Sequence, residues 1–285
     1  MQQDRSTIHG YHKESAHLPL IYILGNSHSG STLLGFLLSS NPHIINVGEL
    51  KARSWLRNRL CSCSQPVNNC PLYKDYFTEF NTLKENIIMD GRKINPLRFL
   101  FQKKIYPGEN NISLLRQFHT SLSEKVTSLY PEAKYMTDGS KSVWMLNNWL
   151  HTLPADQIKI LWIQRNVNAN VASFVKRGLP FIASLVKIKA NNFIIKRFVK
   201  KNKLEHLVVN YDRFYLNYED EAKAISLFLK TEVPPAFIDH ENHHVISGNV
   251  GTRKSFRQEF KGFHQDDEWI RILSPLQKKI LSWIS

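Results

Sequence analysis

The sequence predicts an α/β fold, a central and mainly parallel sheet between layers of helix, with a helical insertion. Three observations carry that expectation. Short β-rich apolar runs alternate with helical patterns along the chain, as they do where crossover helices join the strands of one sheet. The first run, Leu18–Leu24 (LPLIYIL), is apolar throughout rather than alternating, which suits a strand buried on both faces. A turn bounded by Gly25 and Gly30 then leads directly into a mostly apolar helix pattern.

Taken in order, Leu18–Leu24 is the first strand. Ser31–Ser40 (STLLGFLLSS) is the first helix, stopped before Pro42 because a residue preceding proline avoids helical backbone. Ile44–Val47 reads as a short second strand ending at Gly48-Glu49. Residues 51–130 form a long insertion rich in basic and aromatic residues, mostly helical, with loops at Pro66, Pro96 and Pro107. Tyr135–Thr137 runs into Asp138-Gly-Ser-Lys141, a strand end. Gln157–Gln164 (QIKILWIQ) is the clearest strand after the first, and Asn166–Arg177 has helical spacing. Leu204–Asn210 is a further strand, followed by an amphipathic helix through Ala222–Leu229 and a closing helix near Pro275–Ile284. At 285 residues the chain can bury a full core, and it reads as one domain over 1–285 with a flexible polar segment at 1–17.

The formal net charge is +14, an excess that attracts anions: acidic small molecules, nucleic acid or anionic membrane surfaces. Lys187–Lys203 (KIKANNFIIKRFVKKNK) concentrates it. Such a stretch reads as a solvated amphipathic helix, with peripheral contact to an anionic membrane as an alternative. No zinc-finger or RNA-recognition signature is present, so nucleic acid is not the expected partner. No signal-peptide core and no run of membrane-span length occurs, which leads to the expectation of a cytoplasmic protein. Three cysteines, Cys61, Cys63 and Cys70, are an odd number and argue against a disulfide framework. A metal site would need a fourth ligand that the sequence does not place, so the expectation is three reduced thiols of unassigned purpose.

The turn carries the chemistry. Gly25-Asn26-Ser27-His28-Ser29-Gly30-Ser31-Thr32 spans G-x-x-x-x-G-S-T, and strand, glycine turn and helix start form the context of a P-loop-type phosphate cradle. Backbone N–H groups and the first-turn donors of the helix converge there on one anion, with hydroxyls from Ser29, Ser31 and Thr32 beside them. A nucleoside triphosphatase carries a lysine where this chain has Ser31 and pairs it with magnesium. Triphosphate hydrolysis therefore fits poorly. A P-loop kinase acting on a small molecule is the nearest enzyme alternative, and a basic nucleic-acid-binding protein the non-enzymatic one.

His28-Ser29-Gly30-Ser31-Thr32 resembles the 5′-phosphosulfate loop of the sulfotransferase family, whose donor is 3′-phosphoadenosine 5′-phosphosulfate (PAPS). Histidine replaces the usual basic residue, which makes the charge at that position pH-dependent. Ile160–Arg177 is similar to the family's 3′-phosphate motif, with Arg165 at a strand end and Ser173 eight positions on; arginine suits the fork geometry of a phosphate. Asn41-Pro42-His43 through Val47-Gly48-Glu49 resembles the segment of tyrosylprotein-type members in which a glutamate acts as base, the position of Glu49. Asp138-Gly-Ser-Lys141 is similar to an Asp-Ser-Ser-Lys motif of bacterial members, and His244–Arg253 to their tail. Val209-Asn-Tyr211-Asp212 is similar to a Tyr-Glu-Asp strand end.

The resemblance implies a sulfotransferase in which the loop residues Asn26 to Thr32, with Arg165, Ser173 and Arg253, bind PAPS. It implies Glu49 as general base, with His28 and Lys141 stabilising charge on the leaving group, and no metal in the transfer. The expected acceptor is a hydroxyl or amine on a small molecule, glycan, lipid or peptide, and the 51–130 insertion is expected to shape its pocket.

Overall fold

The structure is a computed structural model that describes residues 17–51, 60–74, 97–102, 104–234, 244–245 and 267–284. Five strands, β1 (Leu20–Gly25), β2 (Ile44–Asn46), β3 (Tyr135–Lys141), β4 (Ile158–Gln164) and β5 (His206–Asn210), form one sheet in the order β2-β3-β1-β4-β5. Every pairing is parallel. The fold class expected from the sequence is the one observed. The predicted strands recur within two residues at each end, apart from the third, where the extended run continues through Asp138 to Lys141.

The continuous apolar character of β1 has its cause in the two cores. Leu20, Tyr22 and Leu24 point into one and Ile21 and Ile23 into the other, so no position of the strand meets water. The first core is covered by α3 (Glu109–Leu129), α4 (Val143–Thr152) and α6 (Phe181–Lys201). The short helix α2 (Arg98–Phe101) adds Phe99, edge-on to Phe198. The second core is covered by α1 (Ser31–Leu38), α7 (Tyr211–Leu216) and α8 (Tyr218–Leu229).

The helix α5 (Val167–Val175) follows β4 and packs with α6 and the two closing helices, α9 (Glu268–Ile272) and α10 (Pro275–Ile284). The basic stretch from Lys187 is thus part of α6, whose Ile188, Ile194, Ile195, Phe198 and Val199 are buried. Its apolar residues are largely committed to the protein's own core. Among the described residues no helix is long and apolar enough to cross a membrane. The described part of the 51–130 insertion is irregular over 60–74, apart from a single 3-10 turn at Val67–Asn69, and helical in α2 and α3.

The strand order fixes where ligands can go. The chain leaves β1 for the β2–β3 side and then crosses to β4 on the opposite side, so adjacent connections diverge at the carboxyl ends of the strands. That divergence opens a crevice in parallel α/β sheets. The Gly25–Thr32 turn after β1, Glu49 after β2, Lys141 at the last position of β3 and Arg165 after β4 all lie at this edge.

Candidate functional site

The turn between β1 and α1 is held from three directions. Asn26 sits between two neighbours on α6, accepting a hydrogen bond from Asn191 and donating one to Asn192, each at 2.7 Å. The carbonyl of Ser27 accepts from Asn170 Nδ2 on α5 at 2.9 Å. Ser29 is buried and its hydroxyl donates to the Asn26 carbonyl at 2.8 Å. His28 takes a left-handed backbone, φ 65°. Gly30 does so too, at φ 93°, and a Cβ there would stand 2.2 Å from the Tyr211 ring, so only glycine fits. Helix α1 then starts at Ser31 with no side-chain cap and no acidic residue in its first turn. The positive end of its dipole faces the turn.

Arg165 directly follows β4. Its guanidinium donates to the His28 carbonyl at 2.7 Å and lies over the Tyr211 ring, 4.9 Å from the centroid. The two motifs expected from the sequence to hold the two phosphate ends therefore meet, although 137 residues separate Arg165 from His28. Asn210 caps α7 by accepting from Asp212 N, and Asp212 accepts from Asn166 N at 2.7 Å. The Tyr211-Asp212 segment thus backs the arginine, with the Tyr211 ring against its guanidinium and Asp212 tied to the backbone of the next residue. Ser173 lies two turns along α5, its hydroxyl donating to the Ala169 carbonyl at 3.0 Å. Arg253 falls outside the described residues.

His28 is the electrostatic reporter of this region. Its imidazole is pushed down to about 4, first by burial and then by the nearby cations Arg177, Lys141, Arg165 and Lys187. The sequence made its charge pH-dependent; the surroundings leave it neutral at pH 7. Two of those cations, Arg177 and Lys187, were not singled out in the sequence. Arg177 is four residues beyond Ser173 and donates to its carbonyl at 2.8 Å. Lys187 sits over the ring of Phe174, which also meets His28 edge-on. A helix-face spacing of four from Ser173 was the available signal for Arg177. Lys187 had none, being one lysine in a basic run.

Glu49 and Lys141 form an ion pair across the ends of β2 and β3, with both side chains largely buried. The loop carrying Glu49 is stitched to β3 by groups the sequence did not assign. Asp138 is fully buried, accepting from Leu50 N at 3.2 Å, from Ser140 N at 2.9 Å, from the Ser140 hydroxyl and from Trp149 Nε1 at 2.8 Å. Burial raises its pKa, and these donors oppose the rise. Gly139 N donates to Gly48 O at 2.7 Å, and Lys51 N to Ser140 Oγ at 2.9 Å. Asn46 Oδ1 accepts from Gly48 N and Thr137 Oγ1, both at 3.0 Å. A cleft runs from Ser31 and Thr32 past Gly48 and Glu49 to Val245. The arrangement offers an anion cradle at one end and a carboxylate with an ammonium at the other.

The three cysteines, expected to lack a fourth metal-binding partner, are joined by one. His244 brings its imidazole to Cys61, Cys63 and Cys70, with all four ligand atoms within 4.8 Å of one another.

The sequence matches no family model and no curated protein. Solved structures do match over nearly the whole chain. The sulfotransferase domain from the curacin biosynthetic pathway aligns with a TM-score of 0.57 at 14% identity, covering 94% of this chain and 98% of that one. The sulfotransferase domain from the Synechococcus PCC 7002 olefin synthase aligns with a TM-score of 0.52 at 15% identity, covering 93% and 94%. The chain has the fold of sulfotransferase domains.

Proposed function

We propose that the protein transfers a sulfuryl group from PAPS to a hydroxyl or amine acceptor. The observation that carries this reading is the contact of Arg165 with the His28 carbonyl, which joins an uncapped helix start to a fixed cation. A ligand with two separate phosphate groups on one nucleoside suits that pair. The backbone N–H groups from Ser29 to Thr32 and the dipole of α1 would take the 5′ end. Arg165, with Ser173 and Arg177, would take the 3′-phosphate. Bound there, the donor supplies an activated sulfuryl group on a good leaving group.

The remaining work falls to this chain's residues. Glu49 accepts the acceptor's proton as its oxygen or nitrogen attacks sulfur. Lys141, and an N–H of neutral His28, meet the charge that grows on the departing phosphate oxygen. Holding donor and acceptor in line contributes further. Arg253 and the acceptor-side role of the 51–130 insertion extend the same reading, with the acceptor drawn from small molecules, glycans, lipids or peptides.

Thermal-shift measurements test the assignment. 3′,5′-ADP should raise the melting midpoint strongly, since ligand at 100 times its Kd adds about 2.7 kcal/mol. ATP with magnesium should do so weakly; the opposite order would favour a kinase. Arg165→Ala should weaken PAPS about 10- to 150-fold, the loss of a charge-assisted hydrogen-bonding partner, while adenosine 5′-phosphosulfate, which lacks the 3′-phosphate, changes little. Equal weakening of both donors would remove Arg165 from the 3′ end.

A further inference from the structure

We propose that Cys61, Cys63, Cys70 and His244 bind one structural Zn²⁺. Cys61 and Cys70 sulfurs lie 3.6 Å apart, and His244 Nδ1 lies 3.1 Å from the Cys70 sulfur and 3.9 Å from that of Cys61. A tetrahedral zinc with Zn–S of about 2.3 Å and Zn–N of about 2.0–2.1 Å needs sulfurs about 3.8 Å apart and sulfur–nitrogen separations of about 3.6 Å. The two sulfur–nitrogen spacings bracket the value a zinc would need, and the sulfur–sulfur spacing falls just short of its own. Cys61 and Cys70 are fully buried and His244 nearly so. Two buried thiols, the half-buried thiol of Cys63 and an imidazole, gathered where apolar side chains would otherwise pack, have little but weak S–H hydrogen bonds to offer one another. A soft divalent cation turns that cluster into a favourable one.

The surroundings are built as a metal site is built. Cys61 N donates to Gln65 O at 2.8 Å and Ser64 N to Cys61 O at 3.0 Å, closing a tight turn that carries Cys61 and Cys63. Ser64 holds a left-handed φ of 70° within it. The 3-10 turn at Val67–Asn69 then delivers Cys70. His244 Nε2 lies 2.5 Å from the Tyr130 hydroxyl. With Nε2–H donating to that oxygen, Nδ1 keeps its lone pair for the metal, the outer-shell arrangement that fixes a ligand's tautomer. Four protein ligands close the coordination sphere, so the ion is structural, with no open position for chemistry.

Its position gives the ion a purpose independent of whether the donor is PAPS. Ser62 and Val245 exchange two hydrogen bonds, Ser62 N to Val245 O at 2.9 Å and Val245 N to Ser62 Oγ at 2.7 Å. Val245 lines the cleft beside Glu49. The Tyr73 hydroxyl lies 2.8 Å from both the His244 carbonyl and the carbonyl of Val47, two residues before Glu49. Zinc would clamp residues 60–74 and 244–245 together as one wall of the site.

The full-length protein, purified under reducing conditions after growth with added zinc, should contain one zinc per chain by elemental mass spectrometry. Replacing zinc with Co²⁺ should give the intense visible and sulfur-to-metal charge-transfer bands of a tetrahedral thiolate site. Tyr130→Phe should lower zinc affinity about 10- to 100-fold, His244→Cys should keep the metal, and Cys70→Ser should lose it. If Cys70→Ser fails to fold, the wild-type cobalt spectrum and alkylation of all three thiols only after chelation decide the matter. Zinc well below stoichiometric after reconstitution, an octahedral cobalt spectrum, or a disulfide mapped between any two of these cysteines would overturn the proposal.

Discussion

Gly30→Ala isolates the packing of the phosphate turn. The added methyl meets two separate costs. The backbone at φ 93° is left-handed, which costs an L-residue about 1–2 kcal/mol. The new carbon would also stand 2.2 Å from Cδ2 and 2.7 Å from Cε2 of Tyr211, and that ring lies beneath Arg165. Forcing a well-packed group aside adds about 1–3 kcal/mol. The sum is a loss of roughly 2–5 kcal/mol. Gly108 provides the control: its φ is 89°, yet nothing lies within 4 Å of its would-be Cβ. With ψ at 144° rather than the 7° of Gly30, Gly108→Ala should show a backbone cost alone, about 1–3 kcal/mol. Urea unfolding of the two variants beside the wild type measures the difference, and calorimetric titration with 3′,5′-ADP should show weakened binding only for Gly30→Ala. Equal stability losses in the two variants would refute the claim that the Tyr211 ring leaves no room at the turn.

Glu49→Gln should lower kcat about 10²- to 10⁴-fold while 3′,5′-ADP still binds with near-normal affinity; parallel loss of both would make Glu49 structural. Asp138→Asn places an amide N–H against a donor and should cost about 1–3 kcal/mol. Because Asp138 acts through the Glu49 loop, kcat should fall with little change in KM for the donor, and Trp149→Phe in the same chain should recover part of the stability if the amide faces the indole. Finally, burial and neighbouring cations hold His28 down at about 4 in the folded protein, against about 6.5 unfolded. Its contribution to stability is therefore full above pH 6.5 and is lost as pH falls toward 4, with buried His119, also pushed down to about 4, acting in the same direction. Anionic phosphates should pull the His28 pKa back up, so 3′,5′-ADP binding near pH 5 should take up protons, read as a buffer-dependent binding enthalpy. Identical enthalpies in buffers of different ionisation heat would contradict the placement of His28 beside the ligand.

Much of the fold was legible because its central strands are buried on both faces. Leu18–Leu24 and Gln157–Gln164 stand out as apolar runs for that reason, and the glycine turn announces the helix that follows. The loop, Arg165, Glu49 and Lys141 were legible as motifs following strand ends. Their supports were not. Asn170, Asn191 and Asn192 are amides on helix faces that look solvated in sequence, and only the approach of α5 and α6 to the turn gives them partners. His244 lies 174 residues from Cys70, too far for any spacing rule to couple them. Asp138 was visible inside a motif, but its bonds to Leu50 and Trp149 depend on how a loop and a helix pack against β3.

The central place of β1 in the sheet has a kinetic consequence. Its neighbours β3 and β4 arrive more than a hundred residues later, so the middle of the sheet closes only after long stretches of chain have been made. Pairings of that separation are slow to form, and no fragment ending before β4 contains both halves of the proposed nucleotide site. A nucleotide that bridges those halves recognises a late-forming arrangement. It should retard unfolding while leaving the refolding rate nearly unchanged.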